Sequence, residues 1–160
     1  MSEVSDTAAQ DFWRMMTSDA APLGKGVSRK VYPLAHTGEW VLKVETDAYS
    51  FQNPQEWLIW RAVRNTRHAR WFAPCKAISP GGQILVQRRT STPGPRDFPK
   101  RLPGFLIDLK RENYGLLEGR LVAHDYGLMH KKLLNLGAAT EDAGWWTVEE
   151  DRRARAEDAT

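Results

Sequence analysis

The sequence predicts an α+β domain in which one main helix packs on a five-stranded, mostly antiparallel sheet. Three observations predict this class. Residues 20–45 mix strand formers with turn signals, residues 53–67 have helical periodicity, and residues 75–88 hold two further apolar runs. Strands followed by a helix and then by more strands are typical of α+β domains. A length of 160 residues fits one domain of common size.

Strand-forming residues define the five predicted strands. Val, Tyr, Leu and Trp residues interrupted at GKG and HTGE predict three antiparallel strands near residues 20–26, 28–35 and 39–45. The turn signal SPGG predicts a hairpin made of residues 75–79 and 83–88. The run QILVQRR is apolar enough at its centre to form a buried strand.

The main helix is predicted to begin at NPQE. Asn53 is a favourable N-cap, Pro54 suits the first helical position, and Glu56 can complete a capping box. The apolar side of this helix is expected to comprise Trp57, Leu58, Trp60 and Val63.

The domain boundaries are predicted from periodicity and charge. We expect an N-terminal helical extension over residues 1–19, a folded domain over residues 20–137 and a charged tail over residues 138–160. The tail alternates charge with almost no apolar face, which indicates a solvated or frayed helix. Trp145 and Trp146 could attach it to the domain, form part of the core or anchor an interface.

The second half of the domain is predicted to be less regular. Its stretch TSTPGPRDFPKRLPG is rich in Pro and Gly, which indicates a loop without regular elements. Two apolar runs around Glu118 and Gly119 predict a small hairpin, and residues 128–136 predict a short helix.

Composition excludes several classes of protein. No apolar run approaches the ~20 residues that span a bilayer, so a membrane protein is not expected. The polar, acidic N-terminus lacks the pattern of a secretory signal, and a single cysteine, Cys75, excludes an internal disulfide. These features predict a cytoplasmic protein.

Positive charge is clustered although the formal net charge is only +3. Such clusters can bind nucleic acid, phosphorylated ligands or acidic proteins. No aromatic and glycine pattern here resembles an RNA-binding module, so solvated surfaces are favoured over a nucleic-acid interface. The clusters are Arg61, Arg64, Arg67, His68 and Arg70, and then Arg88, Arg89, Arg96, Lys100 and Arg101.

Three polar residues late in the chain indicate a site for a metal and phosphate groups. Asp108 and Asn113 lie in DLKREN, and Asp125 follows shortly afterwards in HDYG. Carboxylate and amide oxygens suit a hard cation such as Mg²⁺. Metal sites built on histidine or cysteine are not expected, because His124 and His130 lack a ligand spacing. Cys75 is interpreted as a core residue in preference to a nucleophile.

Two segments nearer the N-terminus carry glycines and a lysine. GKGVSRKV contains Gly24, Gly26 and Arg29, and it is either a phosphate-binding loop or a plain tight turn. Lys43 in VLKV is flanked by apolar residues, so it either aims its charge inward or faces solvent from an alternating strand. Glu56 in the predicted helix either pairs with Lys43 or serves only the capping box.

Taken together and in this order, these segments resemble the protein-kinase family. GKGVSRKV is similar to G-x-G-x-x-G-x-V with Arg29 in place of the third glycine, VLKV to V-A-I-K, DLKREN to D-L-x-x-x-N and DYG to D-F-G. The pair before Asp108 is Leu106-Ile107 in place of His-Arg. The resemblance implies a kinase-like upper lobe, with the five-stranded sheet and one main helix, and a much reduced lower lobe.

The resemblance also implies roles for individual residues. ATP and Mg²⁺ would be the cofactors, with Gly24 and Gly26 beside the phosphates and Arg29 either gripping a phosphate or filling the pocket. The other implied roles are phosphate binding by Lys43, orientation of that lysine by Glu56, service of the acceptor by Asp108, stabilisation of the transferred group by Lys110, and metal binding by Asn113 and Asp125.

The short lower lobe leaves several functions open. The chain could be a minimal phosphotransferase acting on itself or another protein, a nucleotide-binding pseudokinase, or a scaffold that binds a partner without nucleotide. Compact kinase-like proteins of this kind look like ones encoded by bacteriophages or mobile elements, which act on host proteins. The expected partners are therefore a nucleotide and a protein.

Overall fold

The computed structural model describes most of the chain. The described residues are 21–26, 28–34, 37–47, 49–129 and 139–158. The N-terminal extension over residues 1–19 and nearly all of the helix expected at residues 128–136 lie outside them.

A five-stranded antiparallel sheet forms the centre of the fold, as the sequence predicts. Its spatial order is β1-β2-β3-β5-β4. In the register, Val31 pairs with Lys43, and Lys43 pairs in turn with Leu85, so Lys43 lies in the middle of the sheet. The strands are β1 (Gly24–Lys25), β2 (Arg29–Pro33), β3 (Trp40–Glu45), β4 (Cys75–Ile78) and β5 (Ile84–Arg88).

One helix, α1 (Gln52–Val63), packs against this sheet. Its inward side buries Glu56 together with Ile59 and Val63, while Leu58 is exposed. The predicted capping box is wrong. The helix begins after Phe51, which adopts a left-handed conformation (φ 51°) and makes no side-chain cap bond; the N–H of Asn53 instead donates to Oε1 of Glu45 at 2.6 Å. The polar side chain predicted as the cap, Asn53, is instead buried in the interior.

The stretch predicted as an irregular loop contains regular elements. A 3-10 turn covers Pro95–Asp97, and β6 (Arg101–Pro103) pairs antiparallel with β9 (Thr140–Asp142). The prediction failed because a two-stranded ribbon tolerates proline at its end, where Pro103 lies, and because the partner strand is distant in sequence. Part of the predicted tail therefore pairs with the domain.

The predicted hairpin is present as β7 (Tyr114–Leu117) and β8 (Arg120–Ala123). Its turn residues Glu118 and Gly119 both have positive φ angles, 51° and 74°, which suit a two-residue hairpin turn. The backbone N–H of Ala73 donates to the carbonyl of Ala123 at 2.8 Å, and this bond attaches the hairpin beneath the sheet. The residues after β8 are thereby placed under the sheet, close to Lys43.

The core lies between α1, the sheet and the β7–β8 hairpin. Phe72 packs against the rings of Phe105 and Tyr126, and Ile59 and Leu85 belong to the same buried cluster. Several partly buried indole rings pack against this cluster: Trp57, Trp60, Trp71 and Trp145.

The C-terminal part of the described chain ends in a second helix, α2 (Val148–Asp158). Most of its described side chains are exposed, which agrees with the predicted solvated helix. Just before it, Trp145 packs edge-on against Phe98 and Tyr114 and donates from Nε1 to the carbonyl of Pro99 at 2.7 Å. None of the helices in the described ranges combines the length and apolar character needed to cross a membrane.

Candidate functional site

Lys43 points into the protein and not into solvent. Its residue is 4% exposed, and Nζ donates to both carboxylate oxygens of Glu56, at 3.1 and 2.8 Å, and to the backbone oxygen of His124. Burial lowers the pKa of Lys43, and the neighbouring guanidinium of Arg29 lowers it further, while Glu56 opposes both effects. The apolar flanks of VLKV thus hold a buried, partnered ammonium group.

Glu56 is the hub of a buried polar network. It is fully buried, and its two oxygens also accept hydrogen bonds from Arg29 Nη2 at 2.8 Å, Gln87 Nε2 at 3.3 Å and the backbone N–H of Tyr126 at 3.1 Å. A buried carboxylate is stable only when it is paired and hydrogen-bonded in this way. Of the two roles open to Glu56, the structure shows the pairing with Lys43.

Arg29 lies beside this pair. The residue is 6% exposed, and its guanidinium donates to Asn53 Oδ1 at 3.2 Å, to Glu56 Oε1 at 2.8 Å and to Asp125 Oδ1 at 2.5 Å. Its charge is therefore directed at two acids from different parts of the chain. Arg29 fills the space between α1 and Asp125.

Asn53 completes this network, and sequence reasoning missed its role. Besides accepting from Arg29, it donates from Nδ2 to the backbone oxygens of Lys43 and Gln83, both at 2.9 Å. It therefore ties α1 to β3 and to the residue before β5. The motif NPQE gave no signal for this role, because it is also a good helix start.

Asn113 links Asp108 to Asp125. Its Nδ2 donates to Oδ2 of Asp108 at 2.8 Å, and its backbone oxygen accepts from the N–H groups of His124 at 2.9 Å and Asp125 at 3.1 Å. Asp108 has a positive φ of 54°, an uncommon conformation that Asp tolerates better than most residues and that is frequent at functional sites. The D-L-x-x-x-N segment thus forms a compact turn that contacts Asp125.

The pKa values of the two acids are shifted in opposite directions. Burial raises the pKa of Asp108, and the charge of Asp125 adds to this, against a hydrogen bond from Asn113. Burial also opposes ionisation of Asp125, but the positive charges of Lys43 and Arg29 outweigh it and hold the pKa of Asp125 below its ordinary value. Asp125 is therefore an anion at neutral pH.

The oxygens near Asp125 are compatible with a Mg²⁺ ion that also binds phosphates. Asn113 Oδ1 accepts no hydrogen bond from the described residues, and the Asp125 side chain is 47% exposed. The described ranges contain no cluster of three His, Cys, Asp or Glu side chains that would hold a metal ion by itself. Proteins often bind Mg²⁺ through one or two carboxylates together with substrate phosphates.

The predicted site residues converge on one cleft of about 560 Å³. Glu56 is the exception, because it lies buried behind Lys43. An adjoining cavity of about 400 Å³ shares Lys43 and has an apolar wall made of Leu23, Val31 and Val41. The predicted residues that line the larger cleft are Gly24, Gly26, Arg29, Lys43, Asp108, Lys110, Asn113 and Asp125.

The described parts of GKGVSRKV belong to β1 and β2 and the residues next to them, and Gly26 N–H donates to Arg29 O at 2.8 Å between the two strands. Neither Gly24 nor Gly26 has a positive φ. A Cβ atom at Gly24 would meet nothing within 4 Å, so this glycine is not needed for packing. Both glycines border the cleft, where the lack of a side chain leaves room.

His124 is held between two neighbours and belongs to the packed surroundings of the cleft. Its Nε2 is 2.8 Å from the carbonyl of Glu112, and its Nδ1 is 2.6 Å from the hydroxyl of Thr90. Burial lowers the pKa of His124, and the charge of Lys43 contributes. The neutral ring therefore donates to Glu112 and accepts from Thr90.

Cys75 packs in the core, as interpreted from the sequence. Its Sγ lies 3.1 Å from the hydroxyl of Tyr126, which itself donates to the carbonyl of Ala73. Burial raises the pKa of the Cys75 thiol to about 12, and the nearby charge of Glu56 adds to the effect. A thiol held in this state is a poor nucleophile.

The chain after β9 contacts the segment that carries Asp108. Arg111 N–H donates to the carbonyl of Trp146 at 2.9 Å, and Trp146 N–H donates to the carbonyl of Leu109 at 3.2 Å. The Trp146 side chain lines the larger cleft. The first basic cluster, by contrast, takes no part in the cleft, and its arginines, Arg61, Arg64, Arg67 and Arg70, are exposed.

Comparison with known proteins found no relative of this chain. No protein-family model, no curated protein and no solved structure matches the chain. The cleft and the motif residues that line it are the features that bear on function.

Proposed function

We propose that this chain is a minimal kinase-like phosphotransferase that binds ATP with Mg²⁺. The observation that carries the proposal is the buried Lys43–Glu56 ion pair, which lies at the cleft that Asp108, Asn113 and Asp125 also line. In protein kinases a strand lysine is oriented by a helix glutamate, next to a metal-binding aspartate and asparagine. The sheet and α1 would then be a kinase-like upper lobe.

The two adjoining cavities suit the two ends of a nucleotide. The apolar wall of Leu23, Val31 and Val41 would cover the base. Lys43 lies where this cavity meets the larger cleft, and its ammonium group would contact the phosphates. Gly24 would leave space for the phosphates beneath the β1–β2 turn.

Asn113 and Asp125 would hold the metal ion. Asn113 offers the amide oxygen that has no donor in the described part, and Asp125 offers an ionised carboxylate. When bound, Mg²⁺ would neutralise the charge that develops on the phosphate oxygens. The Asn113 side chain donates to Asp108, and its backbone oxygen accepts from the N–H of Asp125, which holds the turn with Asp108 beside Asp125.

Asp108 would act on the acceptor hydroxyl, and Lys110 would act on the transferred phosphoryl group. An acceptor hydroxyl would attack the terminal phosphorus while the bond from phosphorus to the bridging oxygen breaks and ADP leaves. Asp108 would position the hydroxyl and accept its proton, and the ammonium of Lys110 would steady the phosphoryl group. Both residues line the cleft, as this step requires.

The acceptor would be either another protein or the chain itself. A flexible or small acceptor suits a fold whose second half is built mainly of short ribbons. In a phage or mobile-element setting, the acceptor would be a host protein.

A second candidate is a catalytically inactive kinase-like protein that binds a partner. The observation that favours it is the 2.5 Å bond between Arg29 and Asp125, because an arginine already engages the proposed metal ligand. In this case the scaffold and its exposed arginines would supply the binding surface.

Transfer of labelled phosphate separates these candidates. The full chain is incubated with ATP labelled in the γ-phosphate, alone and with a bacterial lysate, and compared with Asp108→Asn. We expect labelling of the chain or of a lysate protein, and its loss in the variant. The control Asp142→Asn removes an exposed aspartate outside the cleft and should label normally. Absence of transfer by the wild type would reject the phosphotransferase and favour the inactive form.

A further inference from the structure

Arg29 brings a positive charge to the proposed metal ligand from within the chain. Its guanidinium contacts Asp125 Oδ1 at 2.5 Å while a second bond fixes it to Glu56. We propose that the positive charge of the Arg29 guanidinium partly replaces that of a divalent cation at Asp125, so that the nucleotide binds in this cleft without Mg²⁺. This inference rests on the proposed nucleotide site.

The charges around the cleft support nucleotide binding without Mg²⁺. Lys43 and Arg29 carry two positive charges, and Glu56 and Asp125 carry two negative charges, so the four side chains are formally neutral. Without Arg29 the same group would be negative, and it would repel a triphosphate until a metal ion was bound.

The position of Arg29 is fixed by more than one partner. Three hydrogen bonds to Asn53, Glu56 and Asp125 orient the guanidinium, and the residue is almost fully buried. An arginine stays charged under all ordinary conditions, and its planar group can bond carboxylates and phosphates at the same time. Because Arg29 also borders the cleft, a bound phosphate would meet a preformed positive charge.

Arg29 leaves room for a metal ion as well. It contacts one oxygen of Asp125, and Asn113 supplies an oxygen that accepts no hydrogen bond from the described residues. Mg²⁺ could therefore still bind for the transfer step. The inference concerns nucleotide affinity, which Arg29 supports in the absence of the metal.

The opposite role for Arg29 is a plug that excludes metal and nucleotide together. A plug predicts that the wild type binds ATP under neither condition and that removing Arg29 creates binding. A built-in cation predicts that removing Arg29 weakens binding and makes it depend on metal. The two roles therefore predict opposite effects of one substitution.

The test measures ATP affinity of the full chain by calorimetry, supported by thermal shift, in excess EDTA and in Mg²⁺. For the wild type we expect dissociation constants within about threefold of each other in the two buffers. For Arg29→Gln we expect a loss of at least about tenfold in EDTA that Mg²⁺ largely restores, because a charge-assisted contact has been removed. The control Arg153→Gln removes an exposed arginine of α2 and should match the wild type.

The possible outcomes separate failure of this inference from failure of the proposed nucleotide site. Wild-type binding that occurs only with Mg²⁺ overturns the inference and leaves the proposed function intact. Absence of ATP binding by the wild type in both buffers overturns the proposed nucleotide site, and the inference with it. Should Arg29→Gln not fold, Arg29→Lys keeps the charge and is expected to bind ATP in EDTA, and the wild-type comparison still decides.

Discussion

The ammonium group of Lys43 lies 2.8 Å from Oε2 of Glu56, and neither residue is more than 4% exposed. One comes from the central strand β3 and the other from α1, so the ion pair joins the sheet to the helix at the cleft. Arg29 shares the same carboxylate, so Glu56 pairs with two cations, of which Arg29 also contacts Asp125.

Replacing that acid should destabilise the fold strongly. Glu56→Gln keeps the shape of the side chain but leaves the buried Lys43 ammonium without its carboxylate, and Arg29 keeps only the carboxylate of Asp125. We expect a loss of about 3–5 kcal/mol in the free energy of unfolding, measured by urea denaturation. The control Glu149→Gln breaks an exposed pair with Arg153 and should cost at most about 0.5 kcal/mol. Equal effects of the two substitutions would contradict the buried network.

Any larger residue at Gly115 is predicted to destabilise the fold for a steric reason. A Cβ atom there would collide with the side chain of Thr90 and approach Nδ1 of His124 to 2.8 Å. We expect Gly115→Ala to lower stability by about 1–3 kcal/mol through overpacking. At Gly144 a Cβ would meet nothing within 4 Å, so Gly144→Ala should be close to neutral in the same denaturation experiment. A neutral Gly115→Ala would show that β7 does not approach Thr90 as described.

Cys75 should react slowly with alkylating reagents. Its thiol is buried and its pKa is raised to about 12, so almost none of it is thiolate at pH 8. Mass spectrometry after iodoacetamide treatment should show little modification in buffer and complete modification in urea. Rapid alkylation of the folded protein would place Cys75 outside the core.

The same thiol predicts the sign of a pH effect on stability. Its pKa in the folded protein lies above the ordinary value of 9.0, so the unfolded chain loses the proton first. The contribution of Cys75 to stability is therefore complete below about pH 9 and declines as the pH rises toward 12. Over this range, the unfolding free energy of Cys75→Ala should fall less steeply than that of the wild type. Parallel curves would mean that Cys75 does not titrate differently in the two states.

Trp145 and α2 should contribute very differently to stability. Trp145 fills a site between Phe98 and Tyr114, and Trp145→Ala should cost about 3 kcal/mol, the lower part of the range for core aromatics. Deleting residues 148–160 removes α2, whose described side chains are mostly exposed, and we expect a change within about 0.5 kcal/mol. Urea denaturation of both variants tests this, and the reverse order would contradict the described packing.

The sequence was most informative where structure depends on neighbouring residues. The strand formers around Lys43 placed it on a strand, and the turn SPGG separated β4 from β5 as predicted. DLKREN brought Asp108 and Asn113 together because five positions along one short turn allow a direct hydrogen bond. Local spacing is sufficient for such features.

Features that depend on distant contacts could not be predicted in the same way. Arg29 pairs with Asp125, 96 positions away, and the sequence left open whether it would fill the cleft or bind a phosphate. From the sequence, Asn53 is equally suited to cap the helix, and only the fold brings the backbone oxygen of Lys43 in β3 within reach of its side chain. Strand β6 lacked a signal because its partner β9 lies in a segment predicted as tail.

The most direct test of the nucleotide site asks whether ATP places its phosphates beside Lys43. An acyl phosphate derivative of ATP transfers its acyl group to a nearby lysine amine, which forms an amide and releases ATP. After labelling of the full chain and mass spectrometry, we predict modification at Lys43 that excess ATP suppresses. Modification confined to exposed lysines such as Lys76 and Lys100, and unaffected by ATP, would contradict the account.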